Sequence, residues 1–304
     1  MRICHFPPNK DGAILPGKSH HFTLEQSSYG KQHLVFCILS DERVYSSKSP
    51  EVFNQVMQRT GINGTYVPFM VQPERIGEAM MSLRALNIAG ANVTVPYKES
   101  IAPYMDSVSE SAEIIGAINT IARNKEKLKG YNTNAIALMD ALDEIPFNPA
   151  GKTALILGAG GAAKAAAFVL KWLKADKIFV AGRSEARARQ VAVRASGEFL
   201  LIDDLLNHKF PIHMLINATT ASSPEESPEL ADIAAKLNLR DCELIYDLNY
   251  GRAQNIWQDK ARKNGILFRD GLLTLVHQAK NSLSLWTGLD IETDEFRKAL
   301  EAAV

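Results

Sequence analysis

The amino-acid sequence predicts an α/β fold with two domains, one of which is doubly wound. Its 304 residues exceed the usual size of a single domain. Short apolar runs alternate along the chain with amphipathic stretches of helical period, which is typical of strands joined by helices. Over residues 152–170 a strand, a glycine-rich turn and a helix follow one another, as at the first strand of a doubly wound sheet.

Composition and charge narrow the class of protein. Hydrophobic residues make up 46% of the chain, which is ordinary for a globular protein, and 34 basic residues balance 34 acidic ones. A net charge of zero gives no basis for binding nucleic acid or an anionic membrane. The sequence has no apolar run of membrane-spanning length and no signal-peptide core near Met1, so we expect a cytoplasmic protein.

Cysteine and histidine positions do not predict a metal site. The cysteines are scattered without metal-ligand spacing, which fits a reducing compartment: Cys4, Cys37 and Cys242. His20, His21 and His33 have no acid or thiol at ligand spacing. Residues 1–33, rich in Pro, Gly, Ser and His, are predicted to form a solvated arm or a lead-in strand.

The first half of the chain predicts alternating strands and helices. In order, the predicted elements are a strand at Leu34–Leu39, a helix at Pro50–Gln58, a strand at Thr65–Met70, a helix at Pro73–Asn87 and a strand ending within Ala91–Lys98. Ser49 is the expected N-cap of the first helix, with Pro50 in its favoured first turn. Lys98 is expected to open the next helix.

Polar side chains gather where these strands end, which is the usual ligand site of an α/β sheet. Ser47 and Ser49 stand at i and i+2. Helix capping alone explains Ser49 but not Ser47, and two hydroxyls at this spacing suit a hydroxylated or carboxylated ligand. Lys98 is either ordinary surface charge or a functional group in the same place. The amide and hydroxyl side chains that accompany it are Asn92, Thr94 and Asn119.

The glycine turn predicts a nucleotide site. Thr153–Leu157 is apolar throughout, as in a strand buried on both faces, and Ala162–Leu170 has the pattern of a helix. Gly158, Gly160 and Gly161 lie between them, so backbone N–H groups and the positive end of a helix dipole converge on one point. Glycine turns also serve plain strand-to-helix reversals, but a strand and a helix flank this one as the dinucleotide fingerprint requires.

The end of the next strand favours NADP over NAD. Lys177–Ala181 is predicted to be this strand, and an NAD enzyme would carry an acid at its end for the ribose hydroxyl. Here Gly182 is followed by Arg183 and Ser184, with Arg187 shortly after. Guanidinium groups suit a 2′-phosphate, although the same arginines would also fit a solvated first helical turn. Further strands are predicted at Glu198–Leu201, Met214–Asn217, Leu244–Asp247 and Ile266–Phe268, before a helix at Asp270–Trp286.

Several spaced motifs resemble those of the shikimate dehydrogenase family, in the expected order from about residue 34 onward. They are Ser47–Pro50, Asn92–Lys98, Gly116–Thr120, Gly130–Thr133, Gly158–Ala163, Asp270–Ala279 and Trp286–Gly288. The resemblance implies a discontinuous α/β substrate-binding and catalytic domain at 1–133 with 270–304. It also implies an NADP-binding Rossmann domain at 134–269, with a cleft between the two domains.

The resemblance further implies an NADP-dependent alcohol oxidoreductase that acts on a cyclic polyhydroxy acid such as shikimate or quinate. Lys98 would be the acid/base at the hydroxyl being oxidised, with Asn134 beside it. The implied substrate-binding residues are Ser47, Ser49, Asn92, Thr94, Asn119, Tyr250 and Gln278. The implied cofactor-binding residues are Gly158, Ala159, Gly160, Gly161, Ala162, Arg183, Ser184, Arg187, Asn217, Thr219 and Gly271. His277 and Trp286 are expected to be packing residues, and the protein is expected to be a monomer or a homodimer.

This chain also departs from the family pattern. The family pairs its lysine with an aspartate in an Asn-Thr-Asp-Gly run, whereas here the run ends in Asn134 and Ala135. A neutral amide cannot hold a lysinium as a carboxylate does, so the Lys98 pKa is expected to be lower than in the family. The family's Gly-Met after Asn217–Thr220 is replaced by residues 221–224, and its Pro after Tyr250 by Gly251. These changes leave two alternatives open. The substrate could be an altered ring acid, such as an amino derivative, or the protein could be a relative that binds the nucleotide or a metabolite with little turnover.

Overall fold

A computed structural model describes residues 32–207 and 209–303, so the arm predicted at residues 1–33 lies outside the described residues apart from Gln32 and His33. The described residues form two compact units. The first contains the residues up to Ala112, Ile118–Thr133 and the residues from Gln278 onward. The second contains Glu113–Ala117 and Asn134–His277.

The first unit is built on a mixed six-stranded sheet. Its strands are β1 (Leu34–Ser40), β2 (Gly64–Met70), β3 (Gly90–Val93), β4 (Ser107–Val108), β5 (Thr120–Asn124) and β6 (Lys127–Tyr131), in the spatial order β2-β1-β3-β5-β6-β4. Strands β1, β2 and β3 are parallel, and β5 runs antiparallel to β3. The carboxyl ends of β1 and β3 therefore lie side by side, next to the start of β5.

Amphipathic helices cover this sheet. They are α1 (Ser49–Thr60), α2 (Ile76–Ala85), the later part of α9 (Leu272–Thr287) and α10 (Thr293–Ala303), and α3 (Glu110–Ile115) begins in the same unit. In α1 the buried residues Val52, Phe53, Val56 and Met57 repeat at helical spacing, so one stripe faces the core. Gly61 ends α1 in the left-handed conformation, with φ of 72°, which glycine adopts without steric cost.

The second unit contains a parallel sheet in the Rossmann order. Its strands are β7 (Thr153–Leu157), β8 (Lys177–Gly182), β9 (Glu198–Leu201), β10 (Met214–Asn217), β11 (Leu244–Asp247) and β12 (Leu267–Arg269), in the order β12-β11-β10-β7-β8-β9. Its helices are α4 (Thr133–Asp143), α5 (Gly161–Trp172), α6 (Glu185–Arg194), α7 (Pro228–Lys236) and α8 (Ile256–Asn264). The strand order reverses between β7 and β10, and such a switch point is where doubly wound sheets bind ligands.

Burial explains why the strands of the second unit were predicted well. All residues of β7, β10 and β11 are buried, so each strand is a continuous apolar run that ends at a glycine or a polar residue. The bounds predicted for β7, β9, β10 and β11 match the structure. Predicted helices and the remaining strands differ by a few residues at their ends, which is where helices fray. Among the helices described, none is long and apolar enough to cross a membrane.

The prediction that Lys98 opens a helix is wrong. Residues 95–100 form turns, in which the Tyr97 N–H donates to the Thr94 carbonyl oxygen at 2.9 Å. Pro96 and Pro103 lie on either side of Lys98, and each lacks a backbone N–H and disfavours helical geometry in the preceding residue. Too few residues remain between the prolines to extend a helix, so Lys98 lies in a loop.

Two helix starts also differ from the predictions. Helix α1 begins at Ser49, and Lys48 rather than Ser49 occupies the N-cap position, without a side-chain capping hydrogen bond. Capping therefore does not account for Ser49. The helix predicted at Pro73–Asn87 is divided into a 3-10 turn at Pro73–Arg75 and α2.

Candidate active site

Ser47 and Ser49 lie in one tight turn between β1 and α1. The chain leaves β1 through a 3-10 helix at Glu42–Ser46, and the Ser47 N–H donates to the Val44 carbonyl oxygen at 3.3 Å. The Ser49 N–H then donates to the Ser47 hydroxyl oxygen at 3.2 Å. Ser49 is buried and Ser47 is partly exposed. The two serines therefore belong to one hydrogen-bonded turn, and their role as ligands of the substrate stays a prediction.

Thr94 and Lys98 lie in the loop that follows β3. The Thr94 N–H donates to the Leu39 carbonyl oxygen at 3.1 Å, which holds the start of the loop beside the end of β1. The Lys98 carbonyl oxygen accepts from the Ile118 N–H at 2.7 Å, which fixes the loop to the segment that leads to Asn119. Lys98 is thus anchored through its backbone while its side chain is half-buried.

The electrostatic state of Lys98 is unusual for a lysine. Loss of hydration in its partly buried position lowers its pKa from the ordinary value of 10.5 to about 8. A lysine with this pKa has a substantial neutral fraction at mildly alkaline pH and remains mostly protonated near neutrality. Such an amine can both accept and return a proton, which is what an acid/base catalyst requires.

Asn92 belongs to a buried polar network. Its Nδ2 donates to the Asn119 carbonyl oxygen at 3.3 Å and to the Thr120 hydroxyl oxygen at 3.0 Å. Its Oδ1 accepts from the Tyr66 hydroxyl at 2.8 Å. Because Asn92 is 4% exposed, these bonds satisfy a side chain that water barely reaches. The observed contacts of Asn92 are with the protein itself, and its role as a substrate ligand stays a prediction.

Asn119 is held in one orientation by Thr133. Its Oδ1 accepts from the Thr133 N–H at 2.7 Å, and its Nδ2 donates to the Thr133 hydroxyl oxygen at 2.9 Å. A backbone N–H can only donate, so this pair of bonds decides which atom of the amide is the oxygen. Asn119 therefore lies at the start of β5 with its amide oriented by the first residue of α4.

The hydroxyl of Ser282 is the centre of the network. It lies 3.0 Å from Nε2 of Gln278, one helical turn earlier on α9. Its other neighbours are Asn92 Nδ2 at 3.1 Å, Thr120 Oγ1 at 3.1 Å and Thr133 Oγ1 at 3.3 Å. Through these contacts Gln278, Asn92 and Asn119, which were predicted from separate motifs, are joined in one cluster. Ser282 is fully buried, so the cluster is shielded from water at its centre.

Four members of this network were not predicted as site residues: Tyr66, Thr120, Thr133 and Ser282. Ser282 follows Gln278 by four residues, which is a contact spacing in a helix, so the two polar side chains share one face of α9. That spacing was the available signal. No comparable signal marks Tyr66, which has the pattern of an ordinary aromatic strand residue.

Trp286 anchors α9 against the sheet of the first unit. Its indole Nε1 donates to the Ile121 carbonyl oxygen at 2.9 Å, and its ring stacks on Phe36 with a centroid distance of 5.0 Å. A side chain at Gly90 would place Cβ 2.3 Å from the Trp286 Nε1, so β3 needs glycine there. Trp286 is 1% exposed, and the prediction that it is a core residue is confirmed.

In the second unit, the glycine turn follows β7 as predicted. Gly158 has φ of +109°, and a Cβ there would lie 2.8 Å from the Ala218 carbonyl oxygen, so this position requires glycine. Gly160 has an ordinary extended conformation, with φ of −93°, and caps α5. A Cβ on Gly160 would meet none of the described atoms within 4 Å. Open space above a helix N-terminus is what a pyrophosphate needs, so the residues present fit a dinucleotide.

Arg183 lies beside this turn. Strands β7 and β8 pair in register, with Leu157 opposite Ala181, and the Gly158 N–H donates to the Ala181 carbonyl oxygen at 2.8 Å. A Cβ at Gly182 would lie 3.6 Å from the Cβ of Ala159, so the end of β8 touches the turn. Three exposed residues follow Gly182, just before α6 and in its first turn: Arg183, Ser184 and Arg187. Their position next to the turn fits the phosphate of a 2′-phosphorylated ribose.

Asn217 ends β10 in a second polar network. Its Oδ1 accepts from the Thr219 hydroxyl at 2.8 Å, and its Nδ2 donates to the Asp247 carboxylate at 2.9 Å. Asp247 also accepts from Asn255 Nδ2 at 2.7 Å and from the Asn249 N–H at 3.1 Å. Burial raises the Asp247 pKa, while these donors favour the carboxylate. The loop that carries Asn217 and Thr219 is therefore held by a buried acid that the sequence-based prediction did not include.

Comparison with known proteins identifies the family. The profile of the shikimate dehydrogenase substrate binding domain matches residues 40–121, and that of shikimate / quinate 5-dehydrogenase matches residues 141–255. Shikimate dehydrogenase (NADP(+)) of Caldanaerobacter subterraneus subsp. tengcongensis is 39% identical over 259 residues, which cover 83% of this chain and 91% of the relative. The chain belongs to the shikimate dehydrogenase family. The family predicted from the sequence motifs is confirmed.

Solved structures agree with this shikimate dehydrogenase assignment. The structure of shikimate dehydrogenase from Aquifex aeolicus has a TM-score of 0.79 and 28% identity, over 89% of this chain and 98% of that one. Shikimate 5-dehydrogenase from Thermus thermophilus, in complex with NADP(H) and shikimate, has a TM-score of 0.77 and 27% identity, over 89% of this chain and 100% of that one. The predicted fold class, an α/β substrate domain with a Rossmann-type domain, is confirmed.

The remaining predicted site residues lie in the second unit. Asn134 is a partly buried residue in the first turn of α4, and Tyr250 is partly buried after β11. Gly271 donates its N–H to the Asn249 carbonyl oxygen at 2.9 Å, and a Cβ there would lie 2.3 Å from the Leu248 carbonyl oxygen. His277 is buried, and its Nε2 lies 2.8 Å from the Glu144 carboxylate, as expected of a packing residue. The ligand contacts predicted for Asn134, Tyr250 and Gly271 stay predictions.

Proposed function

We propose that this protein is an NADP-dependent shikimate dehydrogenase, an oxidoreductase that interconverts shikimate and its keto form, 3-dehydroshikimate. The observation that carries the proposal is Lys98, a half-buried lysine with a pKa of about 8 that is anchored next to the segment bearing Asn119. The relative that is 39% identical is named shikimate dehydrogenase (NADP(+)), and the reaction follows from that relationship.

Lys98 is the acid/base of the proposed reaction. Oxidation of a secondary alcohol requires the hydroxyl proton to leave as hydride leaves the same carbon. The neutral amine of Lys98 accepts that proton at Nζ, and the ammonium returns it to the oxygen during reduction. NADP, when bound, supplies the nicotinamide that takes and returns the hydride. The lowered pKa supports this role because it gives both forms of the amine a useful population near pH 8.

The first unit is proposed to bind the ring acid. The hydroxyl groups of Ser47 and Ser49 donate hydrogen bonds to the substrate carboxylate. The turn that the two serines share supports this role. Thr94, Asn119 and Gln278 hydrogen-bond the ring hydroxyls. The network around Ser282 holds Asn119 and Gln278 in fixed orientations before the substrate arrives, which reduces the entropy lost on binding.

The second unit is proposed to bind NADP. The amides at the start of α5 would hold the pyrophosphate, and Arg183 with Arg187 would bind the 2′-phosphate. The proposed substrate domain comprises residues 1–133 with 270–304, and the proposed NADP domain comprises residues 134–269. In the structure, residues 270–277 and Glu113–Ala117 instead belong to the second compact unit. The proposed ligands are thus two small molecules, the ring acid and NADP. The protein is proposed to act in the cytoplasm.

An altered ring acid is the second candidate for the substrate. Asn134 stands where the family carries an aspartate, and Gly251 follows Tyr250 where the family carries a proline. Both changes fall in segments that the family uses near its substrate, so quinate or an amino ring acid is the alternative, with a low-turnover binding protein as the third candidate. Steady-state assays with shikimate and quinate, each with NADP and with NAD, test the proposal. Faster turnover of quinate, or a preference for NAD, would contradict it.

A further inference from the structure

Helices α1 and α10 are joined at both ends by a hydrogen bond from a cationic side chain. Lys48 directly precedes α1, and Ala303 lies in the last turn of α10. The Nζ of Lys48 is 2.6 Å from the carbonyl oxygen of Ala303. At the opposite end of α1, the Arg59 Nε lies 2.7 Å from the carboxylate of Glu295, in the first turn of α10. The two helices therefore run antiparallel, with a cation of the α1 segment at each end.

The contact at Lys48 is chemically suited to the end of a helix. The last carbonyl groups of a helix have no intrahelical partner and carry the negative end of its dipole. An ammonium group satisfies such a carbonyl with a charge-assisted hydrogen bond. Lys48 also lies 3.5 Å from the Glu51 carboxylate, one turn into α1, so its side chain is held between two negative groups. The position of α10 is fixed by packing, because its residues Phe296, Ala299 and Leu300 are buried.

Lys48 is the residue between Ser47 and Ser49. The bonds of this turn include those from the Ser47 N–H to the Val44 carbonyl oxygen, from the Ser49 N–H to the Ser47 hydroxyl oxygen, and from the Val52 N–H to the Lys48 carbonyl oxygen at 3.1 Å. The last of these fixes the backbone of Lys48 to α1. The side-chain contact with Ala303 therefore adds a second attachment to the same residue, from an element 255 positions away in the sequence.

We propose that Lys48 is a positioning residue for substrate binding. By binding the end of α10 it fixes the turn in which the hydroxyls of Ser47 and Ser49 receive the carboxylate of the ring acid. This inference rests on the proposed function of the two serines. The inference gives α10 a role in substrate binding, although none of the predicted site residues lies on this helix. Through its contact with Lys48, α10 contributes to the affinity for the substrate carboxylate.

The test uses the full chain with three substitutions. Lys48→Met removes the contact with α10 but keeps an unbranched side chain of similar length. Lys48→Arg keeps a cation that can reach the same carbonyl. Arg59→Met is the matched control, because it breaks the ion pair between the same two helices, at the end of α1 away from the serines. For each protein, KM for shikimate, KM for NADP, kcat and the thermal midpoint are measured.

Lys48→Met is expected to raise KM for shikimate by about tenfold, the size of one lost charge-assisted hydrogen bond, with a smaller change in kcat and none in KM for NADP. Lys48→Arg restores most of the affinity. Arg59→Met leaves KM for shikimate unchanged. All three variants retain the wild-type thermal midpoint within a few degrees, because a single ion pair or hydrogen bond near the surface shifts the midpoint of a chain of this length only slightly.

Two results overturn the inference: an unchanged KM for shikimate in Lys48→Met, or an equal rise in Arg59→Met. Either result leaves the proposed function in place as long as the wild-type protein oxidises shikimate. Absence of wild-type turnover contradicts the proposed function instead, so the two failures are distinguished by the wild-type measurement alone.

Discussion

The Ser282 hydroxyl lies 3.0 Å from the side-chain amide nitrogen of Gln278, one turn earlier on the same helix. This bond ties a residue predicted to contact the substrate to a fully buried cluster of hydroxyl and amide groups. Because Ser282 also contacts Asn92, it connects α9 to β3. The orientation of the predicted substrate ligands therefore depends on a serine that was not itself predicted to contact the substrate.

Ser282→Ala is expected to weaken substrate binding and to destabilise the protein. The substitution leaves the amides of Asn92 and Gln278 without one of their buried acceptors, which costs about 1–3 kcal/mol of unfolding free energy. KM for shikimate is expected to rise because Gln278 loses its fixed orientation. Ser284, a second buried serine of α9, provides the control, and Ser284→Ala should change neither quantity appreciably. Equal effects of the two substitutions on KM would contradict the role of the network.

Gly160→Ala is expected to separate NADP binding from folding. Its backbone is extended and the space above it is open, so alanine should change the unfolding free energy by less than about 1 kcal/mol. The added methyl group should nevertheless block the approach of the pyrophosphate and raise the Kd for NADP by more than about tenfold. Gly158→Ala is the contrasting variant, since its positive φ and the close Ala218 carbonyl predict a loss of stability. Titration calorimetry and thermal unfolding measure both effects, and unimpaired NADP binding by Gly160→Ala would place the pyrophosphate elsewhere.

Arg183→Ala is expected to reduce the preference for NADP. Loss of a charge-assisted bond to the 2′-phosphate should raise the Kd for NADP by about tenfold to a hundredfold, while the Kd for NAD changes little. Arg189, further along α6, pairs with Glu185 at 2.8 Å and serves as the control cation. Arg189→Ala should leave both constants unchanged. Wild-type protein that binds NAD at least as tightly as NADP would show that the 2′-phosphate is not recognised.

The sequence predicted most of the second unit because its physical signals are local. A strand buried on both faces is a continuous apolar run, and a glycine with positive φ marks the turn that follows, so β7 and Gly158 are visible within a short stretch of chain. Lys98 was identified as a candidate but was placed on a helix. Its loop conformation depends on the prolines around it and on the bond from Ile118, which lies on a later segment.

The sequence could not predict contacts between segments that lie far apart in the chain. Ser282 acquires its role because β3, β5, α4 and α9 converge on one hydroxyl. Lys48 contacts a carbonyl 255 residues away. Neither residue type is rare. The i, i+4 spacing relates Ser282 to Gln278, but no pattern of fixed spacing identifies the partners of Ser282 on other elements or the partner of Lys48, so only the folded arrangement reveals these contacts.

Asn134→Asp is expected to raise the pKa of Lys98. The substitution restores the carboxylate that the family carries at this position. If residue 134 acts on Lys98 as the family pattern implies, this carboxylate favours the charged form of the lysine. The pH profile of shikimate oxidation should therefore move upward relative to the wild-type profile. Asn134→Ala, which adds no charge, is the control. If Asn134→Asp leaves both the profile and the rate unchanged, the two side chains do not interact.

The pH dependence of NADP reduction by shikimate tests the proposed role of Lys98 most directly. In this direction Lys98 must be neutral to accept the hydroxyl proton. With a pKa of about 8, kcat/KM is expected to rise with pH through about 8 and then level off. In the reverse direction the ammonium is needed, so the rate should fall above about 8. Lys98→Met should lose at least about a hundredfold in kcat and the dependence on this pKa, while still binding NADP. A wild-type protein that binds NADP yet oxidises no ring acid, or a Lys98→Met variant with the wild-type rate and pH profile, would contradict the account.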